Sequence, residues 1–481
     1  MGPVPELDER AEAAAARLRE ADRVLLASHI DADGLTSAAI ASTALERAGI
    51  THEVVFKNQL DDTEIASIAA RDFETVLFTD FGSGQLDAIS RHIADGDFEA
   101  VIADHHQPAD AEDCAAVIED ADGYADFEWH LNPLLEGIDG ASELSGAGAS
   151  YVLARALGGE VNADLAALAV VGAVGDMQAA GGELVGANEA IVAEGVEAGV
   201  VSEARDLALY GKQTRPLPKL LEYASDVHIP GISNDESGAI AFLSDLGLDL
   251  RSGDDWRRWV DLTPEEKRTV ASALVQRALK RGVPAEKIDQ LVATTYTFPA
   301  EPEGTELRDA SEFSTLLNAT ARYERADVGL AVCLGERGEP LERARRLLAN
   351  HRRNLSEGIE WVTQEGVNQR DHIQYFDAGE RIRETIVGIV AGMALGAEGV
   401  SRSKPIVAFA RKNDEELKVS ARGTGVLVGN GLDLSVVMRE ASRAVGGDGG
   451  GHDVAAGATI PSGQEEQFLD EIDAIVAEQL G

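Results

Sequence analysis

At 481 residues the chain is too long for one ordinary hydrophobic core, and with 44% hydrophobic residues it can build two or three. Acidic residues outnumber basic ones 85 to 42, and the net charge of −43 is spread through periodic segments, which excludes an acidic tail or a disordered chain as its origin. Adaptation to a cytoplasm of molar salt accounts for it, since the screening length falls to about 3 Å at 1 M. A charge of that origin leaves nucleic acid open as a substrate.

No continuous apolar run approaches the ~18 residues of a membrane span, so no membrane partner is expected. The opening MGPVPELDERAEAAAARLRE has neither the basic nor the apolar region of a secretory signal, and the expected location is cytoplasmic. Cys114 and Cys333 read as reduced, buried small hydrophobes.

In chain order, RVLLASH (23–29) reads as a buried strand, followed by a helix over about 36–48. HEVVFK (52–57) and TVLFTD (75–80) are further strands with a helix between them. FEAVIADHH (98–106) is another strand, after a helix around 84–94. Short apolar strands alternating with helices predict a doubly wound parallel sheet, whose ligands bind beyond the carboxyl ends of the strands. The region 190–300 is the least informative.

Those carboxyl ends carry the chemistry. The segments ASHIDADG (27–34), FTDFGSG (78–84), IADHHQP (102–108) and ALAVVGAVGDMQ (167–178) each bring Asp or His to one rim of the fold. Alone, Asp80 would read as a helix cap or turn former, and Asp31-Ala-Asp33-Gly34 as a turn, since the other ligands of a calcium loop are missing. Four such sites on one edge point instead to a pair of divalent cations, which need a bridging carboxylate and further oxygen and imidazole ligands. Carboxylates and imidazoles without thiolate suit Mn²⁺ best, with Mg²⁺ or Co²⁺ as candidates.

HIDADG, FTD, ADHH and GAVGD together resemble the four motifs of the DHH phosphoesterase superfamily. HLNPLLEGIDGASELSGAGASYVLARAL (130–157), YGKQTRPLPK and LRDASEFSTLLNATAR are similar to segments of its RecJ-like exonucleases, including archaeal ones associated with the GINS replication factor. KVSARGTG (418–425), a helix near 433–445 and GGDGGGHDVAAGATI (446–460) resemble the associated substrate-binding domain. The resemblance implies an N-terminal DHH catalytic domain over 1–190, a helical connector over 191–300 and a smaller C-terminal α/β domain of the DHHA1 type over 301–481.

It also implies roles. His29 and Asp31 would bind one metal, Asp33, His105 and Asp176 the other, and Asp80 would bridge both. His106 would face the scissile phosphate, and Asp104 would orient an imidazole or the loop. In the second domain, Gly449, Gly450, Gly451 and their neighbours Gly446 and Gly447 would let backbone N–H groups approach a phosphate as in an anion-binding nest. Arg422 is the candidate clamp on a substrate phosphate, with His452 beside it. Arg322 reads equally as a surface ion pair or a domain contact. The arginines of ERARRLLANHRRNLSEGIEW (342–361) read rather as partners for the many acids than as a nucleic-acid patch. Trp256, Trp259 and Trp361 read as packing residues.

The expected function is Mn²⁺-dependent exonucleolytic hydrolysis of single-stranded DNA, with RNA as a further substrate, in replication or repair. A GINS-containing replicative helicase complex is the candidate protein partner. A small-substrate phosphodiesterase and a replisome scaffold remain the alternatives.

Overall fold

The computed structural model describes residues 2–109, 129–224, 227–397 and 399–480; Cys114 lies outside them. It divides into two compact units, Met1–Arg345 and Arg346–Gly481.

The first unit is organised by five parallel strands: β1 (Arg23–His29), β2 (Thr51–Lys57), β3 (Thr75–Thr79), β4 (Glu99–Ala103) and the short β5 (His130–Leu131). Their spatial order is β2-β1-β3-β4-β5. This doubly wound order reverses direction between β1 and β3, and a sheet of this kind opens its ligand crevice at the carboxyl ends flanking that reversal. The apolar runs that mark the strands are buried on both faces, as a sheet covered by helices requires: Val24 to Ala27 of β1 and Val76 to Phe78 of β3 are 0–1% exposed.

Helices α1 (Asp8–Glu20), α2 (Ala32–Arg47), α3 (Asp62–Ala69) and α4 (Leu86–Asp95) connect and cover the strands. α2 is built from Ala, Ser, Thr and Gly on several faces and packs against helices Gly146–Gly158 and Ala166–Gly175, which are equally rich in small residues. Small side chains allow helix axes to approach closely. The stretch Gly146–Gly175 is apolar enough on average to match a membrane span, yet the 3₁₀ segment Gly159–Leu165 breaks it and Tyr151, Val152, Ala166 and Ala169 lie in the core.

Expected and observed boundaries differ most where polar chemistry begins. α2 starts at Ala32, not near 36, because Asp31 caps it by accepting a hydrogen bond from the Gly34 amide at 3.0 Å. β3 stops at Thr79 and β4 at Ala103, leaving Asp80 and Asp104–His106 just beyond the strands.

Further along, Ser202–Leu207 pairs antiparallel with Val292–Thr297. A helical cluster forms its own core around the buried Trp259, whose indole N–H donates to Asp206 at 3.0 Å. Helix Ala310–Arg322 packs on α2 and on Ala166–Gly175, so the compact unit continues to Arg345, beyond the expected opening of the last domain at 301. Arg322 ends that helix and is exposed. Arg345, on helix Glu339–Glu365, pairs with Glu306 at 2.6 Å and Glu342 at 2.7 Å. Cys333 is buried, which pushes its thiol up to about 12.

The second unit holds a six-stranded mixed sheet in the order Asn368–Gln369, Gln374–Asp377, Ile406–Arg411, Glu416–Arg422, Ala455–Pro461, Asp448–Gly451. Alternate residues serve two cores: Val407, Phe409 and Val419 face helices Leu434–Ala444 and Glu465–Leu480, while Ile406, Ala408 and Ala410 face helix Glu384–Ala394. Of the glycine run, Gly449–Gly451 belong to an edge strand, Asp448–Gly451, that pairs with Ala455–Pro461. Glycine is what fits along this run: a Cβ at 447 would lie 2.3 Å from the Thr459 carbonyl oxygen, and one at 449 would lie 2.8 Å from that of Met438.

Glu312, fully buried near the start of Ala310–Arg322, accepts hydrogen bonds from the Gln213 amide and the Thr214 hydroxyl. Burial pushes its carboxyl up to about 7. A folded-state value raised above the ordinary 4.5 gives stability that is full below that value and lost as pH rises through 7. Glu312→Gln should therefore gain stability relative to wild type between pH 5 and pH 8, by on the order of 3 kcal/mol. Urea midpoints at the two pH values measure this, and a pH-independent difference would contradict it.

Candidate metal centre

Every candidate ligand lies just past the end of a strand or at the end of a helix. His29 closes β1, Asp31 caps α2, and Asp33 sits in the first turn of α2. Asp80 follows β3 in the left-handed region at φ 59°. His105 follows β4, and Asp176 is the C-cap of helix Ala166–Gly175. Three overlapping groups of side chains result, each with its ligand atoms within 4.8 Å of one another: His29, Asp31 and Asp80; Asp33, His105 and Asp176; and Asp80, Asp104, His105 and His106. Asp80 belongs to two of them, flanked by His29 Nδ1 at 3.4 Å and His105 Nε2 at 3.3 Å.

The surroundings fix each group. His105 Nδ1 donates to the Gly140 carbonyl at 2.7 Å, which leaves Nε2 facing Asp80 and Asp33. Asp33 is 2% exposed, and its two oxygens accept from the Gly146 and Ala147 amides at 2.7 and 3.0 Å, at the N-terminus of helix Gly146–Gly158. Asp104 is saturated: one oxygen accepts from the His105 amide and His106 Nδ1, both at 2.8 Å, and the other from the Ser83 amide at 2.9 Å. It therefore orients His106, whose side chain is 54% exposed. Close approach to the carboxylates requires glycine at Gly146 and Gly172, just as Gly34 and Gly140 clear the backbone of His29 and His105. A Cβ on Gly146 would lie 2.4 Å from Asp80 Oδ1, and one on Gly172 would lie 2.4 Å from Asp33 Oδ1.

The field at this rim favours positive charge. Burial opposes protonation of His29 and His105, yet the carboxylates of Asp31 and Asp80 push His29 up to about 11, and those of Asp80 and Asp33 do the same for His105. Burial raises Asp80, but the two imidazoles outweigh it and hold that carboxyl well below the usual range. Burial, followed by the charge of Asp80, raises both Asp33 and Asp176.

The residues fit divalent cations on one further observation. Asp80 Oδ1 is fully buried and accepts no hydrogen bond from any described group. A buried acceptor left unmet costs about 1–3 kcal/mol or more, and a bound cation would meet it. The donor set is oxygen and nitrogen, without thiolate, as Mn²⁺, Mg²⁺ or Co²⁺ prefer.

Several supporting residues lay outside the sequence reading. Gln178 donates to Asp176 and to the Gly140 carbonyl, both at 2.9 Å, and is itself held by Asn188. Asn132 donates to Ser83 and to the His106 carbonyl, both at 2.9 Å, beside a buried His130 whose imidazole is pushed down to about 4 by burial. Gln178, Asn132, Ser83 and His130 fall inside the quoted segments, where their polarity in an apolar context is the signal; Asn188 lies outside them.

In the second unit, Arg422 lies along helix Glu384–Ala394 in space that only glycine leaves, since a Cβ on Gly388 would be 2.5 Å from its guanidinium. Arg422 pairs in register with Ala455, and His452 closes the tight hairpin through its amide to the Ala455 carbonyl at 2.9 Å. Gly449, Gly450 and Gly451 lie on the adjoining edge strand. Lys418 shares the Arg422 face by strand alternation, and it too was missed although KVSAR shows that alternation.

Comparison with known proteins agrees with this geometry. Residues 23–173 match the N-terminal domain of the DHH family, 209–292 the DHH-CID domain and 371–478 the DHHA1 domain. An uncharacterised protein of Methanocaldococcus jannaschii is 31% identical over 456 residues, 94% of this chain and 93% of that one. The chain belongs to the DHH superfamily. Its architecture is RecJ-like: manganese-bound RecJ from Thermus thermophilus superposes with a TM-score of 0.59 at 18% identity, covering 99% of this chain and 55% of that RecJ. CDC45 from Entamoeba histolytica superposes with a TM-score of 0.66 at 13% identity, over 98% of this DHH chain and 99% of that one. At these identities the likeness is one of fold.

Gly146→Ala should lower Mn²⁺ affinity about 10–100-fold, the usual effect of disturbing groups that orient metal ligands. Calorimetric titration with Mn²⁺, alongside circular dichroism to confirm the fold, measures this. Wild-type affinity in the folded variant would contradict the close approach to Asp80.

Proposed function

We propose that this DHH protein is a divalent-metal-dependent phosphodiesterase that shortens single-stranded nucleic acid from an end, with Mn²⁺ as its preferred ion. The observation that carries the reading is the complete set of ligand side chains in overlapping groups, two of which share Asp80 while His105 links the third to them. His29 and Asp31 would hold one cation, and Asp33, His105 and Asp176 the other. Bound there, the cations would offset the charge of a phosphodiester and make water nucleophilic at neutral pH.

The chain's own residues supply the rest. His106 Nδ1 faces the Asp104 carboxylate, which favours the imidazolium and directs Nε2–H outward to a phosphate oxygen. Asp33 keeps its place through two backbone amides, so its position is independent of substrate. Arg422 and Lys418 give the second unit a paired positive face for a phosphate, with His452 at its edge. The acid excess sets the working condition as about molar salt.

The test is a product ladder from 5′- and 3′-labelled single strands with Mn²⁺ and about molar KCl. Progressive shortening is expected. Asp80→Ala should bring the rate below a tenth of wild type, and Arg422→Ala should weaken strand binding while sparing Mn²⁺ affinity. Cleavage confined to dinucleotides or cyclic dinucleotides would replace the exonuclease reading with a small-substrate phosphodiesterase, and full activity of Asp80→Ala would remove the shared-ligand assignment.

A further inference from the structure

A pocket of about 210 Å³ opens in the first unit against the turn that follows Asp176. Val174, Met177 and Leu209 give it apolar walls, and Tyr210, Lys212 and Asp309 add polar groups. We propose that this pocket receives the base of a nucleotide whose phosphate lies at the metal centre. The proposal rests on the reading of that centre as a phosphodiesterase site.

Three observations carry it. The first is position: Met177 is the residue after Asp176, so the pocket wall begins where the ligand set ends. The second is Met177 itself. It adopts φ 64° and is 72% exposed. A left-handed, solvent-exposed site suits glycine or asparagine, and a methionine there presents a flexible apolar surface to water at some cost to stability. The third is Lys212. Its side chain is only 5% exposed, and its ammonium stands 3.5 Å from Asp206 and 3.6 Å from Asp309, well beyond the ~2.8 Å of a close ammonium–carboxylate bond. With three donors and, among the described residues, only these long contacts to carboxylates, it retains hydrogen-bonding capacity at the pocket wall.

Size selects among occupants. At about 30 Å³ per water in the liquid, the space equals roughly seven waters, below the 300 Å³ or more of sites that enclose whole cofactors. A single planar ring system fits, with sugar and phosphate left outside. Its faces would lie against Met177 and Leu209, and a ring carbonyl or ring nitrogen would accept from Lys212. Bases of every type offer such an acceptor and an apolar face, so the pocket would hold a strand end without strict sequence preference.

The experiment uses the full chain in two arms. In the first, single strands carry one abasic residue at each of the first four positions from the attacked end. An abasic residue at one of these positions should lower kcat/KM about tenfold in wild type. Ala180→Trp, which fills the pocket from an exposed position on its wall, should bring the intact and abasic strands to within about twofold of each other. Ala208→Phe, from the segment after Ser202–Leu207, is the second filling variant. Equal cleavage of intact and abasic strands by wild type would overturn the pocket while leaving the nuclease reading in place.

The second arm needs no turnover. With Mn²⁺ present, deoxynucleoside 5′-monophosphates should bind wild type about tenfold tighter than deoxyribose 5-phosphate, and both filling variants should lose that preference. If no strand is cleaved but the preference holds, the nuclease reading fails and the base pocket stands. Equal affinity for the two ligands would reject the pocket whatever the strands show.

Discussion

The first unit turns on the mutual repulsion of Asp31, Asp33, Asp80 and Asp176. Four carboxylates brought to one sheet edge would drive the fold apart unless opposite charge or oriented dipoles meet them. The structure supplies both. Two backbone amides at a helix N-terminus hold Asp33, the imidazoles of His29 and His105 flank Asp80, and the Gln178 amide holds Asp176. One oxygen of Asp80, Oδ1 on the His105 side, stays without a hydrogen bond from any described group, and a cation would meet it. The reversal of strand order between β1 and β3 makes this crowding feasible, because adjacent connections leave the sheet on opposite faces and open a crevice at its edge.

Much of this was legible in the sequence because strands and helix ends have simple signatures. Apolar runs closing on His29, Asp80 and Asp104–His106 mark the carboxyl edge of a parallel sheet, and the structure gathers those ends at one rim. Close approach was not legible. Nothing in GAGAS says that the amide and missing Cβ of Gly146 must touch Asp33 and Asp80, or that Gly172 must clear Asp33, because those contacts join segments far apart in the chain. For the same reason Gln178 and Asn132 read as ordinary polar residues. The glycine run at 446–451 reads as an approach to a phosphate; what the sequence does not show is that Gly447 and Gly449 are also needed where the backbone packs against Thr459 and Met438.

Burial and exposure also divide the labour between the two parts of the candidate site. Backbone amides hold Asp33, a backbone carbonyl holds His105 and the Gln178 amide holds Asp176, so those candidate ligands are positioned by the fold itself. The exposed groups at this rim are His106, beyond its Asp104 anchor, and Met177, and these are the ones proposed to meet substrate. A DHH chain with so large an acid excess keeps its positive side chains where they have defined tasks, as with Arg345 between two glutamates and Arg422 against a glycine-lined helix.

The most direct measurement is anomalous diffraction at the manganese edge from crystals grown with Mn²⁺. The account predicts two peaks about 3.5–4 Å apart, with the Asp80 carboxylate between them. One peak should lie against His29 and Asp31, and the other against Asp33, His105 and Asp176. A single peak, or two that do not share Asp80, would contradict it.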